Sequence, residues 1–330
     1  MNLVTGATGI IGSHVLLHLL EKGQPVLAVK QANSNLDDVQ HLFRFYGKEN
    51  LFNNIHWSEA DLTDVFSVED LLDGVSTVYH CAGYVSFDDK DRLKLKLLNE
   101  IVTANVVNAC LYKGVQNLCH VSSVAAINNN DYNGKLNEAV FWKTSGKESY
   151  YAISKYNAER EVWRGSEEGL NVVIVNPGVV ISPVFKQRSS SRLMDFCRKG
   201  SVFYTEGTSA YVAAPDVAKA MVELVEKGIF GERFILNENH YSNYRIMSMI
   251  QEAYGKSKPS IKLGKAALYA AAGFDALICF ITGSKRNFTR GTVSAGLGSK
   301  TYNAEKIKRT LGFSFIPLET FIKTIASAPN

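Results

Sequence analysis

Two side chains and a nearby hydroxyl in this 330-residue sequence could carry out proton transfer. Tyr151 and Lys155 are four positions apart, so on a helix both project from the same face. A phenol has a pKa of about 10 in water, and a neighbouring ammonium stabilises the phenolate and lowers that pKa toward neutrality. Ser122 and Ser123 follow a short apolar run and offer a hydroxyl that could hold a carbonyl oxygen. Together these residues predict acid–base chemistry at a carbonyl or an alcohol.

The first residues of the chain have the pattern of a phosphate-binding turn. An apolar run at residues 3–5 leads into glycines at positions 6, 9 and 12, and the helix predicted next carries Val15, Leu16, Leu19 and Leu20 on its apolar face. Residues without a Cβ let backbone N–H groups approach an anion, and the N-terminus of a helix adds a favourable dipole. A strand, a glycine turn and a helix in this order predict a dinucleotide site.

Strands and helices alternate through the first half of the chain, which indicates how these residues are brought together. After the first strand, strands are predicted over residues 25–29, 55–60, 77–81, 117–121 and 172–175, with helices over 67–72, over 93–112 and from Tyr150 onward. This alternation predicts an α/β fold, a Rossmann doubly wound parallel sheet with a smaller C-terminal substrate lobe. We expect the sheet domain to comprise residues 1–176 with 211–240 returning to it, and the substrate lobe to comprise 177–210 and most of 241–330.

The residues that end the second predicted strand bear on the choice of dinucleotide. An acidic residue there takes the ribose hydroxyls of NAD, whereas a cation accommodates the 2′-phosphate of NADP. This strand ends in Lys30, with Asn33 and Ser34 close behind, and no carboxylate precedes Asp37. NADP(H) is therefore the preferred cofactor, with Lys30 as the phosphate contact. If Lys30 is an ordinary solvated lysine, NAD(H) binds as well.

Composition and charge exclude several other classes of protein. The net charge is +4 and the lysines are scattered, so a nucleic acid is not an expected partner. The five cysteines form no CxxC pair and no metal-ligand spacing, which predicts a reducing compartment and no metal site. The first residues show no signal-peptide pattern, which predicts a cytoplasmic location. Residues 266–281 are apolar but short for a membrane span and include Asp275, so a packed helix is favoured over membrane contact.

Taken together, these motifs resemble the extended short-chain dehydrogenase/reductase family, within the NAD-dependent epimerase/dehydratase superfamily. The resemblance extends over nearly the whole chain. Residues 5–12 look like the family's nucleotide loop, Asp61 and Leu62 like its adenine-side pair, and residues 81–83 like the segment after its fourth strand. Tyr151 to Lys155 match its active-site motif, and the turn at 176–178 is similar to its nicotinamide-side turn.

The resemblance implies a role for each matched residue. Tyr151 would be the general acid/base, Lys155 would lower its pKa and bind the nicotinamide ribose, and Ser123 would hydrogen-bond the reacting oxygen. Ser123 is preferred to Ser122 because the family's hydroxyl directly precedes a run of small residues, here 124–126. Asn99 is left out of the catalytic set because the family's following Gly-Thr is Thr103-Ala104 here. The implied cofactor contacts are Gly6, Thr8, Gly9, Ile10, Ile11, Gly12, Lys30, Asp61, Leu62, Cys81, Ala82, Gly83, Tyr151, Lys155, Asn176, Pro177, Gly178 and Val179.

Departures from the family pattern narrow the activity that the resemblance implies. Where the dehydratases carry an Asp-Glu pair, this chain has Val124 and Ala125. The turn from Asn176 to Pro183 is more similar to the dihydroflavonol reductase, cinnamoyl-CoA reductase and 3β-hydroxysteroid dehydrogenase branch than to the sugar-nucleotide epimerases. That branch's Gly-Pro, however, is Ser182-Pro183 here. The implied activity is NADP(H)-dependent reduction of a ketone or aldehyde, or the reverse oxidation.

Several alternatives stay open at this point. A NAD-dependent nucleotide-sugar epimerase and a non-enzymatic nucleotide-binding redox sensor use the same fold. Residues 185–192 could form a loop over the site, and family members often form homodimers through a four-helix contact that includes the Tyr151 helix, so the resemblance allows a homodimer. Aromatic residues of the second lobe suggest an apolar or ring-bearing small-molecule substrate unless most of them are core; they are Phe185, Phe203, Tyr204, Tyr211, Tyr269 and Phe274.

Overall fold

A computed structural model describes residues 1–129, 132, 134–184, 191–270, 293 and 296–328 of the chain. The strands are β1 (Asn2–Thr5), β2 (Val26–Lys30), β3 (His56–Glu59), β4 (Thr77–His80), β5 (Asn117–Val121), β6 (Asn171–Pro177), β7 (Val179–Ile181), β8 (Phe203–Thr205), β9 (Thr208–Ala213), β10 (Glu232–Leu236), β11 (Asn239–Ser242) and β12 (Ile261–Leu263). Seven of them form one sheet in the order β10-β6-β5-β4-β1-β2-β3, and every pairing in it is parallel. The predicted Rossmann sheet is confirmed, and β5 has its predicted bounds.

Helices cover both faces of this sheet. They are α1 (Ile10–Glu21), α2 (Asp37–Phe45), α3 (Glu49–Phe52), α4 (Val65–Glu69), α5 (Arg92–Leu95), α6 (Val102–Lys113), α7 (Tyr150–Glu167), α8 (Ser191–Lys199), α9 (Ala214–Glu226), α10 (Asn243–Ala253), α11 (Glu305–Leu311) and α12 (Leu318–Ser327). The single helix predicted over 93–112 is interrupted by a π-helical turn at Lys96–Ile101. Helix α4 begins before the predicted residue 67 because the Asp64 side chain accepts a hydrogen bond from the Phe66 N–H at 3.1 Å and caps it.

Alternate residues of the central strands enter two separate cores. Val4, Tyr79 and Val173 pack on the side of α1 and α9, whereas Leu3 and Leu118 pack on the side of α4, α6 and α7. Two small sheets, β11-β9-β7 and β12-β8, lie outside the seven-stranded sheet. The sequence prediction assigns most of 241–330 to the substrate lobe, but residues 302–313 place Tyr302, Ile307 and Phe313 in the core of the large sheet.

Two predicted features fall largely outside the described residues. The loop predicted over 185–192 is outside the described residues from 185 to 190, and its last two positions belong to α8. Residues 271–281 of the apolar stretch are outside them as well, although residues 265–270 are helical and Leu268 is buried. Over the described ranges, none of the helices combines the length and the apolar character needed to cross a membrane. Of the second-lobe aromatics, Tyr211 is buried in a core with α10 and α12, whereas Phe203 and Tyr269 are exposed and Phe185 and Phe274 are outside the described residues.

The carboxyl ends of the central strands place a buried row of polar side chains beneath α6 and α7. Thr5 on β1 pairs in register with His80 on β4, and His80 pairs with His120 on β5. Asn176, near the end of β6, lies on the same face. All four are buried, so the helices above this row must supply their polar partners.

Candidate active site

The three predicted catalytic residues meet at the carboxyl end of β5. Helix α7 begins at Tyr150 because Ser149 caps it, with its hydroxyl accepting from the Ala152 N–H at 3.2 Å. This start places Tyr151 and Lys155 on the face of α7 that is turned to the sheet, and both are buried. The Ser123 hydroxyl lies close enough to Tyr151 to lower the pKa of its phenol. Lys155 Nζ donates to the Val121 carbonyl at 2.8 Å.

Ser123 rather than Ser122 is the serine that reaches Tyr151. Its hydroxyl accepts from the Ala125 N–H at 3.2 Å and caps the 3₁₀ turn Val124–Ala126. The Ser122 hydroxyl is buried and has no hydrogen-bond partner among the described residues. A Ser123 hydroxyl that is fixed by its own turn can present its proton or its lone pair to an oxygen beside Tyr151.

Burial governs the protonation of Tyr151 and Lys155. It raises the pKa of Tyr151, and the Ser123 hydroxyl opposes that rise. It also lowers the pKa of Lys155 to about 8, against the Glu159 carboxylate, which raises it. Tyr151 is therefore a protonated donor at neutral pH in this arrangement. The lowering of the Tyr151 pKa by Lys155 stays a prediction.

The glycine loop has the steric features of a dinucleotide cradle. Gly6 has a φ of +60°, and a Cβ on it would stand 2.6 Å from the Ala82 nitrogen. A Cβ on Gly12 would stand 2.3 Å from the Gly6 carbonyl oxygen. Gly9 caps α1 without a side-chain hydrogen bond, and the first turn of α1 has no acidic residue. The N-terminus of α1 can therefore take an anion, so these residues fit a bound dinucleotide.

The segment after β4 joins the glycine loop to the catalytic residues. Cys81 and Ala82 lie against Gly6, and a Cβ on Gly83 would be 3.4 Å from Lys155 Nζ. Burial raises the pKa of the Cys81 thiol, so this cysteine is a neutral wall of the site. Residues 81–83 thus lie between the phosphate end and the lysine end of the crevice, as an extended cofactor requires.

A chain of hydrogen bonds with a defined donor and acceptor at each step fixes residues 81–83 from the side of α6. The Thr103 hydroxyl donates to the Asn99 carbonyl at 2.5 Å, so it must accept from His80 Nε2, which is 3.1 Å away. His80 Nδ1 then accepts from the Thr5 hydroxyl at 2.7 Å, and Thr5 accepts from the Ala82 N–H at 3.3 Å. Burial lowers the pKa of His80 to about 3, in agreement with the neutral ring that this chain requires.

Asn99 has a supporting position beside the site. Its side chain accepts from the Tyr84 N–H at 2.7 Å and donates to the Tyr84 carbonyl at 2.9 Å. It also donates to the Ser154 hydroxyl at 2.9 Å, and Ser154 donates to the Tyr151 carbonyl. The Asn99 side chain is fully engaged in joining the loop after β4 to α7. The sequence analysis leaves Asn99 out of the catalytic set. Its contacts in the structure are those of a residue that positions the loop after β4 against α7.

The adenosine end of the crevice contains a carboxylate that the sequence prediction did not include. Lys30 forms an ion pair with Glu59, because β2 and β3 are paired with Lys30 opposite Glu59. Ser34 accepts from the Gln31 N–H in the turn after β2. Asp61 is exposed, and its carboxylate accepts from the Thr63 N–H and hydroxyl, which lowers its pKa. Contacts of Lys30, Asp61 and Leu62 with a cofactor stay predictions.

The residues predicted on the nicotinamide side divide into two groups. Asn176 and Pro177 are buried in β6, and the Asn176 amide donates to the Ser123 carbonyl at 3.0 Å. Gly178 and Val179 are half-buried at the start of β7, where the Gly178 N–H donates to the Leu236 carbonyl. Asn176 therefore supports the catalytic turn from behind, and its predicted contact with the cofactor, like those of the other three, remains untested.

Comparison with known proteins assigns the chain to a family. The model of the NAD dependent epimerase/dehydratase family matches residues 2–236. The chain belongs to this family. A sterol demethylase protein B of Methylococcus capsulatus is 30% identical over 267 residues, which cover 79% of this chain and 76% of that protein. A putative dihydroflavonol 4-reductase of Synechocystis is 28% identical over 262 residues, covering 78% and 73%.

Solved structures are similar to this chain over almost its whole length. The crystal structure of gox2253 has a TM-score of 0.80 and 26% identity, and covers 98% of this chain and 96% of its own. A UDP-glucose 4-epimerase of Thermotoga maritima has a TM-score of 0.73 at 20% identity, covering 99% and 97%, which shows the fold alone. The family match and the reductase relatives identify an oxidoreductase of the extended short-chain dehydrogenase/reductase type.

The sequence prediction did not identify the polar residues that support the site. These are the buried Thr5, His80, Thr103, His120 and Glu159, and the half-buried Arg233. Two signals were present: Glu159 continues the four-residue spacing of Tyr151 and Lys155, and each histidine stands near the carboxyl end of an apolar strand. His120 stacks on His80 with ring centroids 5.2 Å apart, and neither of its ring nitrogens has a partner among the described residues.

The buried histidines predict an acid-sensitive fold. Burial lowers the pKa of His14 to about 4 and that of His80 to about 3, and it lowers the pKa of His120 well below its usual value. Below the unfolded pKa of about 6.5 the unfolded chain binds more protons, so each such histidine removes up to about 1.4 kcal/mol of stability per pH unit as pH falls. Urea unfolding at pH 7.5, 6 and 5 should therefore show a steep loss of the free energy of unfolding.

His120→Leu isolates one of these contributions. The ring forms no hydrogen bond with any described residue, so we expect stability at pH 7.5 to change by only about 1 kcal/mol and the loss between pH 7.5 and pH 5 to shrink by about 2 kcal/mol. His41→Leu, which alters an exposed histidine of α2, serves as the control and should leave the pH dependence unaltered. An unchanged slope in His120→Leu would show that His120 is not held neutral in the folded protein.

Proposed function

We propose that the protein is an NADP(H)-dependent oxidoreductase that reduces a ketone or an aldehyde, with Ser123, Tyr151 and Lys155 as its catalytic residues. The observation that carries the proposal is the burial of Tyr151 and Lys155 beside the Ser123 turn at the end of β5, with Lys155 next to the segment that leads back to the glycine loop. The cytoplasmic location predicted from the sequence belongs to the same proposal.

The chain's own residues divide the work at the substrate oxygen. Tyr151 is protonated at neutral pH because burial raises its pKa, so it donates the proton that the oxygen gains on reduction. The Ser123 hydroxyl donates a second hydrogen bond to that oxygen as negative charge develops on it. The Lys155 ammonium stabilises the tyrosinate left behind. When bound, the reduced nicotinamide supplies the hydride to the carbonyl carbon.

Two observations favour reduction of an apolar or ring-bearing substrate over other chemistry of the family. Val124 and Ala125 occupy the turn next to Ser123, so the site has no carboxylates there for elimination. The Phe87 ring contacts Tyr151 edge-on, with centroids 5.7 Å apart, and gives the reacting end of the crevice an aromatic wall. The names of the relatives, a sterol demethylase protein B and dihydroflavonol 4-reductases, concern ring-bearing molecules.

Replacing the proposed acid tests the reaction directly. With a panel of ring-bearing ketones and aldehydes, Tyr151→Phe should lower kcat for NADPH oxidation by roughly 10²–10⁴-fold, because the proton donor is lost. Ser123→Ala should lower it by roughly 10²–10³-fold. Calorimetric NADPH binding by both variants should stay close to that of the wild type, which shows that the fold is retained.

Tyr150→Phe is the matched control, because Tyr150 is adjacent but lies under the Arg92 guanidinium rather than at Ser123. It should retain wild-type turnover. If Tyr151→Phe consumes NADPH as fast as wild type, the assignment of Tyr151 as acid is wrong. Purified protein carrying stoichiometric NAD without net turnover would favour the nucleotide-sugar epimerase. Nucleotide binding with no turnover on any substrate, and an unaltered cellular role for Tyr151→Phe, would favour the redox sensor.

We propose further that NADP(H) is preferred, with NAD(H) also accepted. Lys30 is the cation at the end of β2, and its partner Glu59 is the more exposed of the two side chains. A 2′-phosphate must therefore displace Glu59 or share Lys30 with it, and the pair reduces the preference that a lone lysine would give.

The Lys30–Glu59 pair yields opposite predictions for its two members. Lys30→Ala should weaken NADP⁺ binding by roughly tenfold or more and leave NAD⁺ binding within about twofold, because a charge-assisted contact is lost. Glu59→Gln should strengthen NADP⁺ binding several-fold. Calorimetry with both cofactors measures these effects, and Lys22→Ala, which breaks an exposed ion pair with Glu226, is the control. Tighter binding of NAD⁺ than NADP⁺, unaffected by Lys30→Ala, would contradict the preference and favour the epimerase.

We also propose a homodimer formed through the helices next to the site. Leu93 and Tyr112 are 78% and 76% exposed, and Leu97 and Ile101 are also exposed. Leu93, Leu97 and Ile101 follow one another at intervals of four residues. The segment from α5 to α6 packs beside α7. An exposed apolar stripe of this kind is typical of a contact between protein copies.

Charge placed on this stripe should separate the copies. Leu93→Glu combined with Leu97→Glu should convert a dimer to a monomer in light scattering coupled to size exclusion, because two carboxylates would be buried in the contact. Ile261→Glu, at an exposed apolar residue of β12, should leave the mass unchanged. A wild-type protein that is monomeric at all concentrations would exclude this contact.

A further inference from the structure

Helix α7 carries a third buried ionisable residue in line with the two catalytic ones. Tyr151, Lys155 and Glu159 follow at intervals of four and so share one face of the helix. Glu159 is only 1% exposed, less than the other two. Burying a carboxylate is costly unless it is paired, and the proposed reaction assigns no step to this one.

Both oxygens of Glu159 have partners from different strands. Oε1 accepts from Asn176 Nδ2 on β6 at 2.5 Å, and Oε2 pairs with Arg233 Nη1 on β10 at 3.2 Å. Arg233 is itself fixed, since Nε and Nη2 donate to the carbonyls of Glu138 and Val140 at 2.9 and 2.8 Å. The carboxylate is therefore held in one place and paired with a cation.

Glu159 acts on both catalytic partners of Tyr151. Through Asn176, whose amide also donates to the Ser123 carbonyl at 3.0 Å, it fixes the backbone of the catalytic serine. Across one turn of α7 its negative charge favours the protonated form of Lys155, against the burial of that ammonium.

The other groups around Lys155 do not supply this charge. The histidines His80 on β4 and His120 on β5 are neutral, and the Cys81 thiol after β4 is protonated. Tyr151 on α7 is protonated as well. Among the described residues whose charges act on Lys155, Glu159 is the carboxylate, with Arg233 as its counter-ion.

We propose that Glu159 is a positioning residue that keeps Lys155 charged and, through Asn176, holds Ser123 in place. This inference rests on the proposed function of Ser123, Tyr151 and Lys155. Glu159 touches neither substrate nor cofactor in this assignment. Its role is to allow an ammonium to remain charged where water is excluded, so that Lys155 can stabilise the tyrosinate at neutral and mildly alkaline pH.

Direct titration of Lys155 tests the electrostatic part without any substrate. In protein labelled with ¹³C at the lysine ε-carbon, the Lys155 signal is identified by its loss in Lys155→Met and is followed by NMR against pH. In Glu159→Gln the pKa of Lys155 should fall by about one pH unit or more, because an opposite charge one turn away is removed. Glu161→Gln is the matched control, since Glu161 is half-exposed and pairs with Arg164. An unchanged Lys155 titration in Glu159→Gln would overturn the proposal.

A second variant distinguishes the loss of the Glu159 charge from damage caused by an unpaired Arg233. Glu159→Gln leaves Arg233 facing an amide, so Glu159→Gln combined with Arg233→Met removes both charges and should lower the Lys155 pKa in the same direction. Activity gives an independent readout: the alkaline limb of kcat for carbonyl reduction should move to lower pH in Glu159→Gln, whereas damage to packing alone would lower kcat equally at all pH values. Absence of Tyr151-dependent reduction in the wild type would reject the proposed function, and the titration would still decide the role of Glu159.

Discussion

The withdrawal of the Lys155 ammonium from water is the constraint on which the rest of the site depends. A buried cation is costly in a medium that cannot solvate it, and here it donates to the Val121 carbonyl at the very end of β5. The surrounding strands supply neutral rings rather than further charge. His80 is held as a neutral tautomer between two threonines, and within the described part of the chain His120 has no hydrogen-bond partner that would favour its protonation. The row of polar residues at the strand ends is thus an environment in which one positive charge can persist.

The strands, the glycine loop and the proximity of the trio Ser123, Tyr151 and Lys155 could be predicted from the sequence because each depends on local pattern. Apolar runs of strand length define β1 to β6, and parallel strands necessarily bring Ser123 at the end of β5 to the same edge as Gly6 after β1. The four-residue spacing of Tyr151 and Lys155 fixes their common face once α7 is formed. These are consequences of periodicity, and they do not require knowledge of distant contacts.

The residues that support the trio could not be predicted because their roles arise from register and from long-range packing. Glu159 and Arg233 are 74 positions apart in the chain, and only the pairing of β10 with β6 brings them together. The Lys30–Glu59 pair likewise depends on the alignment of β2 with β3. In sequence, His80 and His120 are single polar residues at the ends of apolar strands, and such residues are ordinarily capping or solvated.

The close contacts of Gly6 and Gly12 have a consequence for how a nucleotide is captured. Gly6 lies against the backbone of Ala82, Gly12 lies against the Gly6 carbonyl, and the Gly9 N–H donates to the same carbonyl at 2.8 Å, so the turn is closed by its own backbone. A loop that is already ordered loses little conformational entropy when a ligand arrives, and association need not wait for it to fold. Binding of the proposed dinucleotide at this turn would therefore require no rearrangement of the loop backbone.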